Sequence, residues 1–476
     1  MTTPSPAGTP RRVAVDVAVI GGGVVGSAIA RRLAGADLSV AVVEARSDVG
    51  DGTSKANTAI LHTGFDASPG TVESRLVAEG YHLLGDFAEA TGIPVERTGA
   101  LLVAWSEEEL LALPGLREKA RRNGYDACAI VSAAEVYDAV PSLGPGALGG
   151  LRVPGESIIC TWSTTIALAT DAVARGAEVL LEHRVTAAEP TPDGTLLRTT
   201  GGDVHARWVV NAAGLHADTI DGLFGHDRFT VTPRRGELFV FDKLARPLAP
   251  LIVLPVPSSR GKGVLVSPTV YGNVMLGPTA EDLDDKTATG TSATGFAFLR
   301  EKGERIMPTL FDEEVTTTYA GLRAAVPGGD YLLERDDERR YVLVGGIRST
   351  GLTACIAIAE HVAGLLAAAG VDVGLRDDLP APPRIPNIGE AGLRPYADAE
   401  RIAADPTYGH VVCFCERVTA GEVRDAFDSV LPPRDMDGLR RRTRLMNGRC
   451  QGFFCGADAQ AALETRGASL LAGADR

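Results

Sequence analysis

The residues best able to do chemistry are unevenly spread along this chain. Of seven cysteines, four crowd the last 64 residues as Cys413-Phe414-Cys415 and Cys450-(x4)-Cys455, with 34 residues between the pairs. Four thiolates from two close pairs can hold either a zinc ion or a [2Fe-2S] cluster. Structural zinc sites space their cysteines by about two to four residues, a pattern that a C-x-C pair suits poorly. Cys128, Cys160 and Cys355 stand apart and read as small buried apolar residues.

Near the other end, Gly21-x-Gly23-x-x-Gly26 lies between an apolar, β-rich run and a helical stretch, and Glu44 ends the next strand. Gly21 permits the tight turn, Gly23 lets a pyrophosphate meet the helix N-terminus, and Gly26 allows close helix–strand packing. The Glu44 carboxylate can accept hydrogen bonds from ribose hydroxyls. Strand, turn, helix and acid in that order predict a dinucleotide site, with Val25 inside the turn as a further contact.

The elements that must position these groups follow from the pattern. Val13–Ile20 predicts a strand, Val24–Ala34 a helix closed by Gly35, and Ser39–Glu44 a second strand. A helix and strand (Ser163–Arg175, then Glu178–Leu181) come much later, and Val209–Val210 and Tyr341–Val344 are short apolar strands leading into glycine turns. The expected fold class is therefore α/β. A Rossmann-like dinucleotide domain is assembled from separated segments (about 13–80, 150–220 and 335–376), with an antiparallel-sheet substrate domain (about 81–149 and 225–334) inserted between them. Thr230–Phe241 and Gly261–Leu276 read as strands of that inserted sheet. Residues 377–410, including DDLPAPPRIPNIGE, predict a linker, and residues 411–476 a small helical cysteine module.

Bulk composition narrows the partners. The chain has 476 residues and a formal charge of −14, which argues against a nucleic-acid partner while leaving room for a local basic pocket. Residues 1–12 are polar and Pro-rich without the apolar core of a signal peptide, and read as a disordered leader. No run of about 18 apolar residues exists. The expectation is a cytoplasmic protein with at most peripheral membrane association.

Two further stretches choose the dinucleotide. Val209-Val210-Asn211-Ala212-Ala213-Gly214 runs a strand into a small-residue turn, and Gly345-Gly346-Ile347-Arg348-Ser349-Thr350-Gly351-Leu352-Thr353 is a strand, loop and helix start. With these the chain resembles the D-amino-acid-oxidase-like flavoprotein superfamily. The resemblance implies FAD, with the first stretch beside it and the second aiming a helix at the isoalloxazine. It further implies that Thr53, Ser54 and Asn57 lie along the FAD, that the Val185 backbone holds the adenine, and that Ala213, Gly214, Gly346, Gly351, Leu352 and Thr353 complete the cofactor contacts.

Within that superfamily, Gly52-Thr53-Ser54-Lys55-Ala56-Asn57 followed by His62-Thr63-Gly64-Phe65-Asp66 is similar to glycerol-3-phosphate oxidases and dehydrogenases. Thr232–Glu237, Gly261–Pro268, Gly277–Ala280 and Tyr319–Arg323 continue the likeness in order. L-2-hydroxyglutarate dehydrogenases share the first stretch. The resemblance implies a small anionic hydroxy substrate, first choice sn-glycerol 3-phosphate. His62 is then the base that takes the hydroxyl proton, because an imidazole titrates near neutrality. A histidine merely hydrogen-bonded in the core is the alternative, and His216 is the reserve base. Lys262 and Arg323 match positions that contact phosphate or carboxylate, and Arg348 and Ser349 complete the pocket. Phe65-Asp66 departs from the Arg-Tyr pair of the aerobic membrane-bound dehydrogenases, which leaves L-2-hydroxyglutarate or another 2-hydroxy or amino acid open.

The run Cys413-Phe414-Cys415-Glu416-Arg417-Val418-Thr419-Ala420-Gly421-Glu422, with Leu439–Arg444 and Cys450–Cys455, is similar to the C-terminal domain of anaerobic glycerol-3-phosphate dehydrogenase large subunits. That domain has a bacterioferritin-associated-ferredoxin-like fold. The resemblance implies that Cys413, Cys415, Cys450 and Cys455 ligate a [2Fe-2S] cluster through which electrons leave the flavin, toward an acceptor protein or quinone-linked subunit. Thr419 and Glu422 predict a capping box. Arg440, Arg441, Arg442 and Arg444 either stabilise the cluster's negative charge or form a solvated helix face. A reading from another class makes the chain an electron-transfer subunit without its own substrate.

Overall fold

A computed structural model of the chain describes residues 12–257 and 263–467; Gly261, Lys262 and nearly all of the expected leader lie outside the described residues. The β-branched run Val13–Ile20 forms the middle of an eight-stranded sheet, pairing in parallel with Val40–Val43 on one side and Val204–Asn211 on the other. Glu178–Leu180 extends the first side and Tyr341–Gly345 the second, both parallel. Strands from opposite ends of the chain thus share one sheet, as a discontinuous Rossmann-like domain requires. Fully buried Val17, Val19, Ile29, Leu33 and Val342 form its core with the helix Gly351–Ala367.

That helix sits between Val24–Leu33 and Val72–Thr91. Its approach to Val72–Thr91 is so close that a Cβ on Gly80 would lie 2.4 Å from the Thr353 carbonyl oxygen. Only glycine allows the two backbones to meet there.

The second sheet has nine strands. Thr232–Phe241 pairs antiparallel with Val315–Ala325 along their length, and the sheet continues through Val274–Gly277, Leu265–Pro268, Ile252–Pro255, Ala100–Ala104, Gly149–Val153 and Ala129–Ser132. Every pairing is antiparallel except Ile252–Pro255 with Ala100–Ala104. This is the expected inserted antiparallel sheet.

The cysteine module has a small core of its own around Val418, Val423, Leu439 and Ala459. The Thr419–Glu422 capping box forms at the start of helix Ala420–Asp428, both reciprocal bonds being made. Residues 377–394 are irregular but held: the Ile385 amide donates to Thr91 and the Glu390 amide to Val270, while Arg394 is buried against Glu422. The short helices Ala399–Ala404 and Pro406–Tyr408 follow.

The arginine run departs from a solvated face. Arg441 donates to Asp48 and Asp51, Arg442 grips both oxygens of Asp48, and Arg444 pairs with Glu416. All three are buried, and only Arg440 keeps partial exposure. Helix Met436–Thr443 turns this face toward the loop after Val40–Val43, where acids supply the partners that water would otherwise supply.

Candidate functional site

A cavity of about 430 Å³ opens beyond the carboxyl ends of the parallel strands, where α/β sheets bind ligands. Its wall brings together Gly21, Gly23, Val25, Glu44, Thr53, Ser54, Asn57, Val185, Ala213, Gly214, Gly351 and Leu352, with Arg323, Arg348 and Ser349. Gly21 adopts φ +107, and a Cβ on Gly26 would lie 1.9 Å from the Gly21 carbonyl oxygen, so the turn closes only with glycine at both places. Glu44 accepts from the Gly22 and Arg46 amides, and Ser54 Oγ accepts from the Val24 amide at the helix start. Gly26, Gly346 and Thr353 do not line the cavity; they shape it from behind.

The substrate sheet reaches the cavity through a glycine approach of its own. A Cβ on Gly321 would lie 2.0 Å from the Ala56 carbonyl oxygen. Thr53 Oγ1 donates to Leu322 and Tyr319 OH to Asn57, fixing the sheet against this loop. Two residues along the strand, Arg323 projects to the cavity. Its cross-strand neighbour Arg234 is bound to Asp282, but no acid pairs with Arg323 among the described residues. Burial, and then Arg234, press its pKa below the usual arginine value. Arg348 differs, since Glu73 already neutralises it.

His62 is not among the residues that line this cavity, and its side chain is 14% exposed. Its amide donates to Thr353 Oγ1, and its Nδ1–H donates to Glu156 at 2.9 Å. Glu156 is 1% exposed and also accepts from the Thr63 amide and hydroxyl. The carboxylate therefore fixes the imidazole tautomer and leaves Nε2 available. Sequence reasoning missed Glu156, which is 94 residues from His62. The local signal was an acid two residues before the apolar pair Ile158-Ile159. His216 lines the cavity near His183 and Thr219, its pKa lowered by burial and by Lys286.

The four clustered cysteines are free thiols that interact as two pairs, Cys415 with Cys450 and Cys455 with Cys413. The backbone N–H of Phe454, with those of Gly452 and Phe453, points at the Cys450 sulfur and lowers its pKa, while burial pushes Cys455 up to about 12. A Cβ on Gly448 would overlap that of Cys415, so the second loop lies directly on the first. Among the described residues no three His, Cys, Asp or Glu side chains converge as a single metal ion requires. Paired thiols with inward amides suit a sulfide-bridged iron pair.

Residues 16–365 match the family described as FAD dependent oxidoreductase. The chain belongs to that family. Residues 411–465 match the BFD-like [2Fe-2S] binding domain, so this FAD-dependent oxidoreductase uses both FAD and a [2Fe-2S] cluster. It is 36% identical over 442 residues, 92% of each chain, to a glycerol 3-phosphate dehydrogenase of Caloramator mitchellensis. The solved, FAD-bound L-alpha-glycerophosphate oxidase of Mycoplasma pneumoniae superposes with a TM-score of 0.74 at 28% identity, covering 79% of this chain and 100% of that one. An L-2-hydroxyglutarate dehydrogenase of Escherichia coli is 28% identical over 56% of this chain and 64% of its own. The enzyme is thus glycerol-3-phosphate dehydrogenase-like, and no helix among its described residues is long and apolar enough to cross a membrane.

Proposed function

We propose that the chain oxidises sn-glycerol 3-phosphate to dihydroxyacetone phosphate and passes the electrons out through its cysteine module. Bound FAD supplies the hydride acceptor, and the [2Fe-2S] cluster takes up electrons singly. The residues do the rest. Gly21, Gly23 and the helix Val24–Leu33 receive the pyrophosphate, Glu44 the ribose, and the loop Thr53–Asn57 the ring end. Arg323 binds the substrate anion, with Ser349 and Arg348 beside it and Lys262 as the second cation on resemblance alone. His62 Nε2 takes the hydroxyl proton as the carbinol carbon loses hydride, and Glu156 stabilises the imidazolium that forms. Cys413, Cys415, Cys450 and Cys455 are the cluster ligands.

The observation that carries this reading is Arg323, a largely buried guanidinium on the cavity wall with no acid to balance it among the described residues. Burying an unpaired charge is costly, so its counter-ion must arrive with the ligand. An electron-transfer subunit without a substrate has no use for such a group. The acceptor is a protein: Phe414, Phe453 and Phe454 stand exposed beside the cysteines, an apolar rim suited to a docking partner.

Anaerobic bleaching of the flavin tests the substrate. Glycerol 3-phosphate should bleach it and glycerol should not. Equal reaction of the two ends the anion argument, and bleaching by L-2-hydroxyglutarate alone transfers the site to that substrate.

A further inference from the structure

Between the cavity and the cysteines stands a packed column, buried at Tyr271 and Arg444 and half-buried at Trp162, to which each of the three parts of the molecule contributes one side chain. Trp162, second residue of helix Thr161–Ala174, donates its indole N–H to the Lys55 carbonyl, at the end of the 3₁₀ turn whose Thr53 and Ser54 line the cavity. Its ring stacks on Tyr271 of the substrate domain, with centroids 5.3 Å apart and planes at 29°. Arg444 of the cysteine module closes the column, its guanidinium carbon 4.0 Å from the Tyr271 ring centre. Arg444 Nε donates to Glu416 at 2.8 Å, and Glu416 is bonded through the chain to Cys415.

Arg444 and Glu416 are both almost fully buried. A methionine could fill the space over Tyr271 without the cost of desolvating a charge. The pair therefore needs an electrostatic reason for its place. A thiolate-ligated cluster is net negative and becomes more so on reduction. Glu416 is shared by Arg444 and Lys243, whose ammonium lies 3.1 Å from it, so two cations meet one carboxylate next to Cys415, and that excess positive charge favours the reduced form in the way outer-shell groups tune such clusters.

We propose that the Trp162–Tyr271–Arg444 column couples the two redox groups of this chain. The stacked rings form the electronic contact from the flavin loop, and Arg444 raises the electron affinity of the cluster beside Cys415. In the step it serves, the reduced flavin is oxidised by one electron and one ferric iron becomes ferrous. The second electron follows once a one-electron acceptor has reoxidised the cluster. This rests on the reading above, in which FAD fills the cavity and the four cysteines hold the cluster.

The test uses the full chain with flavin and cluster loaded, reduced anaerobically by glycerol 3-phosphate. Flavin bleaching is followed by absorbance, and cluster reduction by freeze-quench EPR. Trp162→Leu should bleach like wild type yet slow the cluster signal by at least about tenfold. Tyr271→Leu should behave likewise, whereas Tyr271→Phe, which keeps the ring, should match wild type. Arg444→Met should move the electron equilibrium about tenfold toward the flavin, a fall of ~59 mV in the cluster midpoint for a one-electron couple. Arg444→Lys should restore most of that fall, and this potential is measurable even if Trp162→Leu fails to fold. Unchanged cluster kinetics and potential in variants that retain iron, sulfide and FAD overturn the proposal and leave the proposed reaction standing. A wild type without iron and sulfide removes the underlying reading, and the column with it.

Discussion

At the residue scale, function in this enzyme turns on which charges have been given partners. His62 owes its tautomer to Glu156, a carboxylate that already accepts from Thr63 twice. His62→Ala should keep FAD bound but slow flavin reduction by about two to four decades, the usual contribution of a positioned base. Glu156→Gln should lose at least about tenfold in the same measurement, because an amide cannot accept all three bonds while holding the imidazolium. Wild-type bleaching rates in both variants would remove the dyad from the mechanism. Arg323 presents the opposite case, a cation with no acid partner among the described residues. Arg323→Ala should cost about 2–5 kcal/mol of apparent transition-state binding for glycerol 3-phosphate, read from kcat/KM. The corresponding loss for Arg348→Ala should be smaller, since Glu73 already holds that guanidinium.

At the element scale, the decisive contact is between helix Met436–Thr443 and the loop after strand Val40–Val43. Asp48 in that loop is 2% exposed and gripped by Arg441 and Arg442, and the loop itself closes on the glycine turn, with the Gly50 amide donating to Gly22. The cysteine module thus braces the glycine turn after Val13–Ile20 instead of hanging from a tether. Arg442→Ala leaves Asp48 buried and half paired and should destabilise the protein by up to about 3–5 kcal/mol. Adding Asp48→Asn should recover part of this in thermal unfolding, as a coupled pair requires. The pH dependence has a definite sign. Burial pushes the Asp48 carboxyl up, but Arg442 and Arg441 outweigh it and hold it below the ordinary range. A depressed folded value means that the pair contributes fully above the unfolded pKa of about 3.9 and loses its contribution as pH falls through the folded value. The stability gap between wild type and Asp48→Asn should therefore be constant at neutral pH and shrink in acid; a gap that widens in acid would contradict the assignment.

At the scale of the whole molecule, two redox groups are fixed in one body. Purified protein should carry about two irons and two labile sulfides per chain, with a low-temperature EPR signal after reduction. Cys450→Ser with Cys455→Ser should abolish that signal and leave a yellow protein still bleached by substrate. One zinc and no sulfide would mean that the four cysteines hold a structural metal and the electrons leave elsewhere.

The sequence by itself determined everything that depends on local spacing: the strand, glycine turn and helix of Val13–Leu33, the Thr419–Glu422 capping box, and the two cysteine pairs. Each of these is a short-range pattern whose geometry follows from backbone periodicity and the missing Cβ of glycine. The order of motifs along the chain was enough to point to the superfamily and the antiparallel insertion. Only the tertiary structure decided the partners of charges. Glu156 meets His62 across 94 residues and Asp48 meets Arg442 across 394, and no sequence period links either pair. The arginine run shows why this matters: its residues could equally face water, a cluster or an acid. The outcome was set by desolvation: Arg441, Arg442 and Arg444 could leave water because packing brought Asp48 and Glu416 to meet them.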